Sequence, residues 1–476
     1  MDYSQFLMMP QELGLLVVIL LVFLYDLFMP QSAQKYLPVF SCVMFLIYVA
    51  ASCCITSVGT AFGGMIETTN ATIAIKIILN VGAFIVMVQA AQWANSEYVA
   101  VRRGEFYTLL LITLLGMQFM ISARHFLMFV IGLETASLPL AAMAAFEKNH
   151  YQSHEAAVKY MFTAIFSSSI MMMGISFVYG ITGSLYYGDI AEKIATADGT
   201  ALLFVALAFV LSGVGFKLSL VPFHLWTADV YQGAPTAVTS YLSVISKGSA
   251  AFAVFVIFSQ AFGGTEIWTY MMYALIILTI TIGNLFAIRQ KNLKRFLAFS
   301  SISQAGYIML GVIAQNAQGL GSLMFYVLVY IFSNLAAFGV IQAIENKTDK
   351  VGMDDYNGLY KTNPKLSFVM TLAMFSLAGI PPFAGFFSKF FIFSSALATG
   401  SVALYVLVLI ALINTIPSLY YYLLVVKAMF INPNDNPIEK VETACSLKFA
   451  LVVCLLGIML TGIASCVYTS LINAAL

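Results

Sequence analysis

Fourteen apolar runs, each of about the length needed to cross a hydrocarbon core, take up most of this chain. They fall near 13–29, 37–58, 71–92, 106–121, 125–145, 155–180, 201–230, 236–260, 267–288, 297–313, 319–344, 366–396, 401–429 and 447–472. Only 9% of the 476 residues are charged, against about 25% in ordinary soluble domains. The pattern predicts an all-α polytopic membrane protein with about fourteen transmembrane helices. A net charge of +1 and the lack of any basic run exclude nucleic acid as a partner. The six cysteines show no CxxC spacing and lie mostly in apolar runs, which reads as small buried hydrophobes rather than a cluster or disulfide framework. The first fourteen residues carry no Lys or Arg, so the first run reads as a span rather than a cleaved signal.

Lys and Arg are distributed unevenly among the connections. Sixteen fall in or beside odd-numbered connections, and only Arg124 and Lys193 in even-numbered ones. By the positive-inside rule the odd connections are cytoplasmic and both termini lie on the outer side. The seventh and twelfth runs are too long for one simple crossing, and each contains internal proline: Pro222 in the first, Pro381 and Pro382 in the second. Proline removes a donor and collides with the preceding turn, so both helices are expected to break. The two interrupted runs lie five spans apart. Units with an odd number of spans enter the membrane from opposite sides, which is the inverted-repeat arrangement of many transporters. The expected organisation is 1–104 for helices 1–3, 105–262 for a first five-helix unit, 263–432 for a second, and 433–476 for the last helix.

Four lysines fall inside apolar runs: Lys76, Lys217, Lys247 and Lys389. Each charge at mid-membrane costs about 2.5–3.5 kcal/mol on insertion scales. Lys76 is near a run end and is expected to snorkel. Lys217 and Lys247 sit too deep for that, and Lys389 follows the double proline by about two turns. Glu134, in FVIGLETASLPLAAM, is the natural partner for Lys217, since each lowers the other's desolvation cost. His224 is seven residues from Lys217, but Pro222 lies between them. Asn284, Gln304, Asn334 and Asn414 read either as interhelical glue or as groups that hold water between lysines. Desolvation lowers the proton affinity of a buried lysine, so a row of such lysines can pass protons stepwise. The sequence contains no P-loop, metal-ligand cluster or haem motif. The driving reaction is therefore expected in another subunit or in a coupled ion gradient.

The stretches GLETASLPL, EAAVKYMFTAIFSS, GVGFKLSLVPFHLWTADVYQGAPT, SVISKGSAAFAV, NLKRFLAFSSISQAGY, YIFSNLAAFGV and LAGIPPFAGFFSKF run from about 130 to 392. Together they resemble the antiporter-like membrane subunits of respiratory complex I, and the VYQGAPT–SVISK combination is similar to the subunit N branch. The resemblance implies that Glu134, Lys217, Lys247 and Lys389 carry protons, with Glu134 and Lys217 on the intake side, Lys247 central and Lys389 on the exit side. It also implies a proton-translocating role in NADH–quinone oxidoreductase, with no cofactor in this chain. NADH, FMN, iron–sulfur clusters and quinone would be handled by partner subunits. Other membrane subunits would lie on both flanks, with a peripheral redox arm coupled indirectly. The setting would be the lipid bilayer of a bacterial cytoplasmic (inner) membrane. Gln304 stands where the family often has a titratable histidine, which counts against a proton relay through the tenth span unless Gln304 orders water there. Ala237 stands where the family has a second proline. His224 and Gln304 are the further candidates for a water or proton relay. The alternative, a subunit of a multisubunit cation/proton antiporter, shares the same lysine row. A scaffold without transport leaves the mid-membrane lysines unexplained.

Overall fold

A computed structural model describes residues 3–97, 99–195, 200–263, 265–434 and 436–476. Helices fall within all fourteen apolar runs. In order they are α1 (Pro10–Phe28), α2 (Leu37–Ser52), α3 (Asn70–Ala94), α4 (Arg103–Ser122), α5 (Phe126–Ala144), α6 (Tyr151–Thr182), α7 (Thr200–Leu218), α8 (Leu225–Gly233), α9 (Thr236–Gln260), α10 (Glu266–Ala287), α11 (Leu293–Ile313), α12 (Ala317–Thr348), α13 (Pro364–Ala378), α14 (Ala384–Leu397), α15 (Val402–Phe430), α16 (Cys445–Ile463) and α17 (Ser465–Ala475). Among the described residues, twelve helices are long and apolar enough to cross a membrane. α2, α13 and α14 are shorter. A small antiparallel hairpin pairs Gly59–Ala61 with Ile66–Thr68 between α2 and α3.

Helix ends leave carbonyls without intrahelical partners, and the two interrupted runs resolve this differently. α7 stops at Leu218. Ser219 then takes φ 62°, and the Leu220 amide donates back to Gly215 O at 2.8 Å. The Trp226 indole donates to Phe216 O at 3.2 Å, and the Val221 amide donates to Thr279 Oγ1 at 3.0 Å. α13 ends on Gly379, whose φ of 87° suits a residue without Cβ. Its last carbonyls are taken by Lys389, as described below. Both X–Pro bonds, Val221–Pro222 and Pro381–Pro382, are cis.

The last run departs from expectation. It is not one helix over 447–472 but breaks at Ala464 into α16 and α17. α17 turns to lie against α12 and α14, where the Tyr468 ring stacks on Phe391 at 3.6 Å and its hydroxyl meets Ser322 Oγ at 3.1 Å. That aromatic and polar contact needs a direction that a straight helix would not supply.

α11 is enclosed on all sides, and α9 and α12 nearly so, while α1, α6, α15 and α16 turn large apolar side chains outward. Among the buried charged side chains, Lys247 lies on α9 and Lys294 on α11, while Glu12 lies on α1, Lys76 on α3, Lys217 on α7 and Lys389 on α14. α4 and α5 approach so closely at Gly116 and Gly132 that a Cβ on Gly132 would sit 2.6 Å from the Met120 amide nitrogen. Small residues commonly allow such contact between membrane helices.

Candidate functional site

All four intramembrane lysines are buried. Lys217 occupies the last turn of α7, where the helix dipole favours a cation. Its ammonium donates to Ser137 Oγ at 2.8 Å and to the Tyr160 hydroxyl at 3.4 Å. The expected direct pair with Glu134 is not formed. Ser137 lies one turn further along α5 than Glu134, and its hydroxyl takes the place nearest the ammonium. Glu134 is close enough for its charge to act on Lys217, and its Oε1 is buried without a partner. No direct bond joins the two groups, and the hydroxyl that accepts from the ammonium, Ser137 Oγ, itself donates to Leu133 O at 2.6 Å.

Lys247 follows a five-residue π turn, Leu242–Ser246, inside α9, and such turns often mark functional positions in helices. Its ammonium donates to Ser301 Oγ on α11 and lies 5.6 Å from the centre of the Tyr231 ring. The Tyr231 hydroxyl also reaches Ser301 Oγ, at 3.4 Å. Between Lys217 and Lys247 stand the rings of Tyr160, Trp226 and Tyr231, with centroids 5.1 Å and then 6.3 Å apart.

Lys389, on α14, reaches back across the proline break to the orphaned C-terminus of α13. It donates to Ala378 O at 2.8 Å and Leu377 O at 3.1 Å, and the Tyr307 ring lies 5.4 Å away. Backbone carbonyls at a helix C-terminus hold a cation without a carboxylate. Gln304, one turn along α11 from Ser301, donates to the same Leu377 O at 3.4 Å and to the Tyr422 hydroxyl at 3.1 Å. It also accepts from Tyr326. Gln304, Tyr326, Tyr330, Ser333, Ser376 and Lys389 are among the residues lining a cavity of about 10 Å³, close to the smallest that holds one water.

α11 thus presents Ser301 to Lys247 and Gln304 to the surroundings of Lys389. Of the residues expected from sequence, Lys247, Gln304 and Lys389 are brought together around α11, and Lys217 and Glu134 form a second centre. Among the described residues no hydrogen bond joins His224 to either: it lies beyond the break that follows α7, and its Nδ1 is buried without a partner. Asn334 donates to Ser243 Oγ at 2.8 Å and to the Tyr330 hydroxyl at 3.3 Å, near the π turn. Asn284 and Asn414 bond to each other between α10 and α15, as glue would.

Sequence reasoning missed Ser137, Tyr160, Tyr231, Ser301 and Tyr326. Ser137 and Ser301 were visible as hydroxyls within one turn of Glu134 and Gln304. It also misplaced Lys76. Rather than snorkelling, Lys76 makes a fully buried ion pair with Glu12 at 2.6 Å, and Ser122 donates to the same carboxylate at 3.0 Å. One turn deeper, Asn80, Gln118 and Tyr48 bond to one another. Among the described residues, no group of three His, Cys, Asp or Glu is placed to hold a metal ion.

Residues 123–415 match the family described as NADH:quinone oxidoreductase/Mrp antiporter, TM. The NADH-quinone oxidoreductase subunit N of Phocaeicola vulgatus is 54% identical, over 100% of both chains. That of Azobacteroides pseudotrichonymphae is 52% identical, over 98% of this chain and 97% of the relative. Among solved structures, a chain of respiratory complex I from Thermus thermophilus superposes with TM-score 0.78 at 31% identity, covering 95% of this chain and 98% of that one. A chain of the Mrp complex from a Dietzia species reaches 0.86 at 20% identity, covering 100% and 97%, a likeness of fold alone.

Proposed function

The chain belongs to the NADH-quinone oxidoreductase subunit N family, and on that premise we propose that Lys217, Lys247 and Lys389, with Glu134, are the stations along which it moves protons. It is a proton-translocating membrane subunit of NADH-quinone oxidoreductase, and its fold is the all-α antiporter-like one. Identity over the full length with subunit N relatives outweighs the antiporter alternative, for which the likeness is one of fold.

The observation that carries the reading is the placement of Ser301 and Gln304 three residues apart on the enclosed α11, one bonded to Lys247 and the other to the carbonyl that Lys389 also holds. Buried charges this deep are costly and mark transfer paths in membrane proteins. Glu134 and Lys217 serve the intake side, Lys247 the centre and Lys389 the exit. His224 and Gln304 act as further stations or order water between lysines. The units 105–262 and 263–432 are inverted repeats, each with one proline-broken helix. NADH, FMN, the iron–sulfur clusters and quinone belong to partner subunits. Membrane subunits flank this chain on both sides, and the peripheral redox arm acts on it at a distance. The membrane is the bacterial inner membrane, with both termini outside and the basic connections in the cytoplasm.

Replacing Gln304 by Leu tests the bridge. The expected result is slower NADH-driven quinone reduction in membranes, with the complex assembled in normal amount. Normal turnover together with a lower melting temperature would make Gln304 a structural tie and contradict a part in transfer.

A further inference from the structure

We propose that a polar cavity on the face carrying the basic connections is a separate proton intake that loads Lys247 directly through Glu345 and a ladder of hydroxyls along α9, without passing Lys217. The proposal rests on Lys247 being a proton carrier and adds the route by which it is supplied.

The cavity holds about 410 Å³ and is walled by Trp93, Glu147, His150, Lys294, Glu345 and Asp349, among others. At its floor is the turn between α8 and α9, Gly233 to Thr236. Glu345, about a quarter exposed, receives the Lys294 ammonium on Oε1 at 3.0 Å and the Thr236 hydroxyl on Oε2. Lys294 also donates to Ala234 O at 3.0 Å. Glu147 accepts from the Trp93 indole at 2.6 Å, so Glu345 is the carboxylate at the floor that touches α9.

From Thr236 the hydroxyls of Thr239, Ser243 and Ser246 recur at steps of three or four residues, which keeps them near one side of a helix, and Ser240 stands beside Thr239. All are buried. The stripe ends at Lys247, about 16 Å from Thr236 along the axis. Thr239 donates to Tyr231 O at 3.1 Å, and the Tyr231 ring and hydroxyl flank Lys247 and Ser301. Asn334 donates to Ser243 while its Oδ1 is buried without a partner, an acceptor left open beside the ladder. Ser240 and Ser243 donate to carbonyls one turn back, and a hydroxyl can rotate to donate elsewhere.

The transfer balances as a relay. Glu345 takes a proton from cavity water, and each hydroxyl or intervening water accepts one proton and gives up its own. The neutral Lys247 amine becomes an ammonium, and Glu345 is left as the carboxylate.

The test uses the intact complex in sealed vesicles, with NADH-driven proton uptake read beside assembly. Glu345→Ala is expected to slow uptake about tenfold, less than the 10²–10⁴-fold effect typical of a positioned proton-transfer group, since cavity water remains. Added formate, a small weak acid that fits the enlarged cavity, is expected to restore most of the rate, which it would not do for a purely structural loss. Should Glu345→Ala fail to assemble, Thr239→Val with Ser243→Ala keeps every charge and reads the ladder itself, with slowing again expected. Normal uptake in either assembled variant, or slowing that formate does not relieve in Glu345→Ala, overturns the intake. If Lys247→Ala itself pumps normally, the carrier reading fails instead.

Discussion

Lys247→Ala is expected to leave a complex that assembles and reaches its quinone but translocates protons roughly 10²-fold more slowly, the low end of what a positioned proton-transfer group contributes. The side chain sits where the hydroxyl-bearing part of α9, Ser301 of α11 and Tyr231 of α8 converge. Removing it leaves neutral hydroxyls, which lose their partner at modest cost, so the fold should survive. Lys247→Arg separates two roles. Arginine keeps the positive charge but does not release its proton in proteins. A lysine that only sets a local potential would be replaced well by arginine, whereas one that must lose and regain a proton would not. The expected result is that Arg is nearly as defective as Ala in proton uptake by inverted vesicles. Uptake at the native rate with Arg would make Lys247 a fixed charge.

The second large effect lies away from the lysine row. Glu12→Ala leaves the Lys76 ammonium buried with only neutral neighbours. Breaking one side of a buried ion pair costs about 3–5 kcal/mol, a large share of the roughly 5–15 kcal/mol that holds a domain together. The subunit should fail to accumulate in membranes, or the complex should melt at a markedly lower temperature. Replacing both partners, Glu12→Leu with Lys76→Met, removes the stranded charge, and accumulation should return toward normal. Native gels and thermal melts of the detergent-solubilised complex check both. Normal accumulation and melting of Glu12→Ala would show that the pair contributes nothing to folding.

These two cases differ in how far the sequence announces them. Lys247 is legible because a lone lysine deep in an apolar run has no inexpensive explanation. The breaks at Pro222 and Pro381–Pro382 are legible for the same reason: proline cannot continue a helix unnoticed. The Glu12–Lys76 pair is hidden because each residue, taken alone, sits near a run end, where snorkelling is the simpler account. Only the fold, which brings Glu12 of α1 within reach of Lys76 of α3 over a sequence separation of 64, makes the pair. The acceptors of Lys389 were invisible for a different reason. They are the backbone carbonyls of Leu377 and Ala378, which no residue type advertises and which the proline break leaves free. Glu134 shows a third limit. Sequence pairs it with Lys217 by charge, while the helix geometry puts Ser137 nearest the ammonium. The break at Ala464 is announced only by Gly462, two residues earlier, a residue type common inside apolar membrane helices, and it lets Tyr468 dock on Phe391.

The ratio of protons translocated to electrons passed, measured in proteoliposomes holding the fully assembled complex with Lys217→Ala and Lys247→Ala together, tests the central claim most directly. A proton row through this subunit predicts a ratio below that of the unaltered complex, or turnover too slow to sustain a gradient. An unchanged ratio at normal turnover would contradict it.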